Sequence, residues 1–331
     1  MRRYLMVMAL LAVVASACST GDADSLTVYS GRSEDLVQPI IDRFIDETGI
    51  DVTVRYADSS DLAATILEEG DGSPADVFFA QDPASLGTVA LADLFAALPD
   101  DVITSVPERF SDSGGSWVGV SGRARVVVHD PTVVPIAELP DTEDGFADPS
   151  WAGRVGTAPT NGSFLAFVAA KILLDGEEAT RTWLTAMANN GSPTYPKNSA
   201  IVSAVIDGQV PTGLVNHYYL LRALAEDPGA AAANHFFTTA SAGSLVMPAG
   251  VGIMASSESS DAALTFVRYL LETPAQQYFS EETFEYPLVP GIEADPRLPA
   301  IDALPTPDLD LSLLATTLDR ATDLVAEAGL L

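Results

Sequence analysis

From Leu26 onward the apolar positions of the chain alternate between two periods. Residues 26–30 read as a strand, and over Glu34–Thr48 the apolar residues Leu36, Val37, Ile40, Ile41, Phe44 and Ile45 share one helical face that Gly49 closes. Residues 50–56 then alternate as a half-buried strand. Ser60 is placed to cap a helix over 61–69 that Gly70 stops, 75–80 is a third strand, and 84–98 gives more helix. Strand, helix, strand, helix, strand in this order predicts a parallel sheet covered on both faces.

An Asp-, Ser- and Gly-rich stretch at 100–116 leads into strands at 117–120 and 124–129, on either side of Ser121-Gly122-Arg123. The first passage between two lobes falls near here. A second α/β set follows: strand 154–158, helices 163–174, 177–187 and 199–207, strand 212–215 and helix 218–225. Residues 244–255 are apolar and Gly-containing and read as a strand crossing back. Residues 260–271 form a helix ended before Pro274, and Leu311, Leu314, Leu318 and Val325 give the tail helical spacing, so that it packs against one lobe. With 331 residues the chain is too long for one ordinary core and suits two α/β lobes. The expected division is 26–122 with 247–300 as the first lobe and 123–246 with 301–331 as the second.

Charge and the amino-terminal segment narrow the setting. Against 46 acidic residues stand 16 basic ones, a formal net charge of -30, so the surface repels nucleic acid and anionic lipid headgroups, and no basic patch argues otherwise. Residues 1–17 combine Arg2-Arg3, an apolar run over 5–14 and Ala15-Ser16-Ala17, which is the pattern of an export signal and too short to read as a spanning helix. Cys18 is the only cysteine, which excludes an internal disulfide. The small-small-Cys arrangement resembles a bacterial lipobox, with 18–25 as a short lipidated tether. A cysteine incidental to an ordinary cleavage site is the alternative. The expected mature protein is extracytoplasmic, monomeric and lipid-anchored to the cell membrane.

Enzyme signatures are mostly missing: there is no P-loop, no GxGxxG after a strand, no CxxC, HExxH or GxSxG, and His129, His217 and His235 share no periodicity. What recurs is a strand that ends in small polar residues before a helix begins. Pro159-Thr160-Asn161-Gly162-Ser163, Lys197-Asn198-Ser199 and Asn216 all do this, and such turns expose NH donors that suit an anion. Helix capping alone would also select Asn and Ser there. Immediately after Asn216-His217 stand two adjacent phenols, Tyr218 and Tyr219, which are either half-buried core residues with wet tips or ligand-facing groups.

Tyr29-Ser-Gly-Arg32, the stretch 73–79, the stretch 121–128, Pro159-Thr160 with Gly162, Lys197-Asn198-Ser199, Asn216 with Tyr218-Tyr219, and Glu285-Tyr-Pro-Leu288 together resemble the bacterial ferric-iron-binding proteins of ABC transporters, in order over nearly the whole mature chain. The resemblance implies a type II periplasmic-binding-protein fold: two α/β lobes joined by crossing hinge strands that close on Fe(III) and deliver it to a permease and its ATPase. It implies Tyr218 and Tyr219 as metal ligands. Asn161, Gly162, Ser163, Asn198, Asn216 and Arg123 would line a pocket for a synergistic anion, carbonate or phosphate. Phenolate suits Fe(III), a small hard ion, once the metal has displaced the proton.

The chain departs from that family in its first lobe. Several members carry His where this chain has Ser33 and a Glu ligand where it has Gln81, and no third tyrosine stands near Asn161. Water or external anions fill those positions, or Glu34, Asp35 or Asp82 swings in, or the iron arrives already chelated, or the cargo is not iron. Two other readings stand beside the iron receptor: a binding protein for a phosphate- or phosphonate-bearing small molecule, and an anchored surface hydrolase.

Overall fold

The computed structural model describes residues 25–331. The export segment, Cys18 and all of the tether but Ser25 lie outside the described residues. Strands β1 (Ser25–Ser30), β2 (Asp51–Tyr56) and β3 (Val77–Ala80) alternate with helices α1 (Glu34–Thr48) and α2 (Ser59–Glu69), and both β2 and β3 pair with β1 in parallel. Helix α1 buries Leu36, Val37, Ile40, Ile41 and Phe44, the face its spacing predicts, and Gly49 ends it in the left-handed region at φ 74°.

The helix expected over 84–98 is shorter. Helix α3 covers Pro83–Leu91, after which the chain turns through Asp93 at φ 56° and Phe95 bridges to Met254. Sheet pairing at that edge outcompetes the helical spacing of the sequence. A single turn, α4 (Asp100–Ile103), follows.

Strand β4 (Trp117–His129) is one continuous 13-residue strand where two were expected. An irregularity between Gly119 and Ser121 absorbs the break, and the strand runs on through Ser121-Gly122-Arg123. Gly122 is required there, because a Cβ would meet Leu288, Val246 and Tyr286 at 2.9 to 3.2 Å. The chain continues through β5 (Val155–Gly156), α5 (Gly162–Asp175), α6 (Glu177–Asn189), α7 (Asn198–Ile206), β6 (Thr212–Asn216), α8 (Tyr218–Glu226), β7 (Ala233–His235), β8 (Val246–Ile253), α9 (Ser260–Leu271), α10 (Thr273–Glu281), β9 (Tyr286–Pro287) and α11 (Ala315–Glu327). The first half of β4 pairs with β8 and β9 and its second half with β6 and β7. The strand order is β2-β1-β3-β8-β4-β6-β5, so β4 and β8 carry the chain between the two halves of the molecule.

One apolar core gathers α1, β1, β8 and α9 around Phe44 and Phe266, and another gathers α5, α6 and α11 around Phe167 and Trp183. The tail does not keep to one side. Helix α11 packs on α5, where Thr317 Oγ1 donates to the Ala169 carbonyl at 3.1 Å. It also meets α3 so closely that a Cβ on Gly87 would lie 2.9 Å from that of Ala315. Among the described residues no helix is long and apolar enough to cross a membrane.

Candidate functional site

The carboxyl ends of β1, β2 and β3 face those of β5 and β6 across a cleft of about 830 Å³. One wall carries Arg32, Ser33, Asp35, Tyr56 and Gln81, and the other Asn161, Lys197, Tyr219 and Arg222. The β1–α1 turn passes so near the start of α2 that a Cβ on Gly31 would fall 1.9 Å from Ser59 Oγ, which reserves the position for glycine.

Tyr218 is buried and Tyr219 is half-buried on the cleft wall. Their rings stack at 4.2 Å between centroids and 28° between planes. Burial pushes the Tyr218 phenol well above its ordinary range and the neighbouring Tyr219 adds to this, while the charges of Arg32 and Arg123 pull it back. Unliganded Tyr218 is therefore protonated at neutral pH, and a cation that binds its phenolate must expel that proton.

His217 fixes the turn that presents the pair. Its Nδ1 accepts from the Ala124 backbone NH at 3.1 Å and its Nε2 donates to the Phe284 carbonyl at 2.8 Å, the bonding of a neutral ring. Burial drives its pKa down to about 4. The unfolded chain takes up this proton near pH 6.5, so the associated stability is present above that value and is lost as pH falls toward 4, about 3 kcal/mol in all. His217→Gln retains an acceptor and a donor. Chemical denaturation is expected to show the wild type losing its advantage over this variant between pH 7 and pH 4.

At the second wall Asn161 caps α5: its Oδ1 accepts from the Ser163 NH at 3.1 Å, from Ser163 Oγ at 2.6 Å and from Asn198 Nδ2 at 3.1 Å. Three residues expected in an anion pocket are thus joined by hydrogen bonds. Of the expected anion set only Asn161 lines the cleft, whereas Ser163, Asn198, Asn216 and Arg123 are buried behind it. Gly162 opens α5 where the first lobe approaches, with Asp82 Oδ2 3.3 Å from the place a Cβ would take. Ser33 and Gln81 both line the opposite wall. Asp82 is committed as the cap of α3, accepting from the Ser85 NH at 2.8 Å, and Asp35 pairs with Arg222 at 2.6 Å.

The Arg222–Asp35 pair joins α8 to α1 across the cleft mouth and is partly exposed at 29% and 61%. Such pairs are worth about 0.2–1 kcal/mol. Arg222→Ala is expected to speed cargo release about two- to fivefold in stopped-flow, with little change in melting temperature.

Sequence reasoning named Arg123 but overlooked the guanidinium cluster that it forms with Arg32 and Arg125 behind the tyrosine pair. Arg32, 2% exposed, forms an ion pair with Glu285, whose second oxygen accepts from Ser121 Oγ. Arg125 Nη1 donates to the Ser163 carbonyl at 3.1 Å and its guanidinium lies 4.8 Å from the Phe167 ring centroid. Arg32 Nε, Arg123 Nε and Nη1, Arg125 Nη2, Gln81 Nε2 and Asn216 Nδ2 are buried donors with no acceptor among the described residues. Unpaired buried donors are costly, and two of these, on Arg32 and Gln81, belong to residues of the cleft wall. Arg32 and Glu285 each belonged to a recognisable motif, but 253 positions separate them and no local pattern joins them.

A family model described as bacterial extracellular solute-binding protein matches residues 39–306. The chain belongs to that family. This solute-binding protein is 34% identical over 327 residues to the major ferric iron-binding protein of Neisseria meningitidis serogroup B, across 97% of this chain and 98% of the relative. It is 33% identical over 326 residues to the Fe(3+)-binding periplasmic protein of Serratia marcescens, across 97% and 95%. Iron-bound HitA from Pseudomonas aeruginosa superposes with a TM-score of 0.88 at 33% identity, over 92% of this chain and 99% of that one. The fold is the type II periplasmic-binding-protein fold, and the relatives are extracytoplasmic binding proteins rather than enzymes.

Proposed function

We propose that this solute-binding protein captures ferric iron together with an oxyanion in the cleft and delivers it to the permease and ATPase of an ABC importer, without catalysing a reaction. The observation that carries this reading is the stacked Tyr218–Tyr219 pair at the end of β6, beside a cleft whose opposite wall carries Arg32 and Gln81, each with an unpaired NH donor. Its relatives named for ferric iron support it. Tyr218 and Tyr219 supply anionic oxygen to a hard cation. Asn161 on the cleft wall meets the oxyanion, carbonate or phosphate in the simplest case, that completes the coordination, and Gly162, Ser163, Asn198, Asn216 and Arg123 back it from behind the wall. The lobes 26–122 with 247–300 and 123–246 with 301–331 close on this cargo. The mature chain acts as a monomer tethered by lipid on Cys18.

Iron binding expels phenol protons, so affinity rises with pH and acidification releases the metal. Titrating the iron complex from pH 8 to pH 4 is expected to empty the site progressively, and retention at low pH would contradict phenolate ligation. Thermal melts separate this reading from its rival, since a ligand that selects the native state raises the melting temperature. A rise with a phosphorylated organic ligand, and none with ferric iron in any oxyanion, would assign the cleft to phosphate- or phosphonate-bearing molecules instead.

A further inference from the structure

Helices α3 and α5 start from opposite walls of the cleft, α3 directly after Gln81-Asp82 and α5 directly after Asn161. At their first turns Asp82 Oδ2 comes within 3.3 Å of the place a Cβ on Gly162 would take. Helix α11 lies across both. Thr317 Oγ1 donates to the Ala169 carbonyl of α5 at 3.1 Å, and Ala84 of α3 is buried in the core that α5, α6 and α11 share. Among the described residues, those lining the cleft include none of α11.

Gly87 stands in the middle of α3, where alanine would suit a helix better. The approach of α11 is what glycine permits there: an added Cβ would lie 2.9 Å from the Ala315 Cβ and 3.1 Å from the Ser312 carbonyl oxygen. Ser113 Oγ and Ser312 Oγ, 3.3 Å apart, continue the contact to the loop before β4. Leu311, next to Ser312, borders a cavity of about 280 Å³ between Phe110, Leu245-Val246 at the start of β8, and residues 306–309. Close-packed interiors resist displacement, and this space leaves the crossing segments room to shift.

Resting on the two-lobed iron receptor proposed above, we propose that α11 is a crossbeam that sets the gap between the two cleft walls and so adjusts cargo affinity without touching the cargo. Helix α5 carries the beam, and α3 slides along it through the bare face at Gly87. Shear between packed helices is one of the ways in which lobes close. The conformation in which Gly87 meets α11 is also the one in which Arg222 reaches Asp35 across the cleft mouth, and it is the one that grips. Any bulk added at residue 87 disfavours it.

The test is a double-mutant cycle read out on iron. Gly87→Ala adds one methyl group at the beam and none in the cleft, and alanine keeps α3 helical. Affinity falls with the population of the gripping conformation, so this variant is expected to bind ferric iron in bicarbonate about three- to tenfold more weakly, through faster release. Its visible absorption is expected to match the wild type, because the ligands are untouched. Ala315→Gly removes the Cβ that the new methyl would meet, and the double variant is expected to recover most of the lost affinity. Gly87→Ala with wild-type affinity and release rate overturns the proposal and leaves the iron receptor standing. So does a loss that Ala315→Gly fails to reduce. A wild-type protein that binds no iron overturns the two together.

Discussion

Tyr219→Phe is expected to abolish or strongly shift the visible absorption of the ferric complex and to weaken iron binding by more than roughly 100-fold. The magnitude follows from comparison: groups that merely orient a metal's ligands cost 10–100-fold when removed, and Tyr219 is placed as a ligand itself. The substitution removes one oxygen and leaves the ring, so the stacking against Tyr218 at 4.2 Å survives and the fold with it. An unchanged melting temperature for the iron-free variant, beside a lost or displaced band, separates loss of a ligand from loss of structure. A variant that keeps the wild-type band and affinity would return the tyrosines to the ordinary role of core residues.

The largest expected effect on stability belongs to Glu285. Its side chain is fully buried and is shared between Arg32 and Ser121, tying the β1–α1 turn to β4 and to the segment that leads into β9. Burial works against the charge of Arg32, and Glu285 more than offsets this, holding the guanidinium above its ordinary pKa. Glu285→Leu leaves that guanidinium buried and uncompensated, a loss of about 3–5 kcal/mol. At ~2–4 °C per kcal/mol for domains of 150–250 residues, this is a drop in melting temperature that calorimetry resolves easily. Glu285→Gln keeps an acceptor for Arg32 and is expected to lose less. Equal melting temperatures for wild type and Glu285→Leu would contradict the assignment of this pair as a structural tie.

The elements that were legible in the sequence are those whose signals are local. Helix α1 matches its predicted bounds because an apolar face and a closing glycine lie within one stretch, and α9 does so for a similar reason. The run Ser121-Gly122-Arg123 imitates a turn, yet β8 and β9 hold it in a sheet, so two expected strands are one. The two-residue strand β9 and the helix α10, which has Pro274 in its first turn, were not foreseen. The first exists only through a partner more than 160 residues away, and the second uses proline as a helix start where it had served as a stop.

The candidate site divides in the same way. The Asn161 cap and the adjacent tyrosines announce themselves through neighbours in sequence. The Arg32–Glu285 tie and the Arg222–Asp35 contact span 253 and 187 positions, so only the folded chain brings them together. Unpaired donors such as Arg32 Nε and Gln81 Nε2 have no sequence signature at all, because a missing partner is a property of the assembled wall.

The most direct measurement of the central claim is resonance Raman spectroscopy of the wild-type protein, excited in its visible band after ferric iron is supplied with bicarbonate, phosphate or citrate. Phenolate coordination predicts an orange to red solution whose enhanced vibrations are those of tyrosinate rings and disappear on acidification. A protein that stays colourless with every anion, or a band without tyrosinate modes, contradicts it.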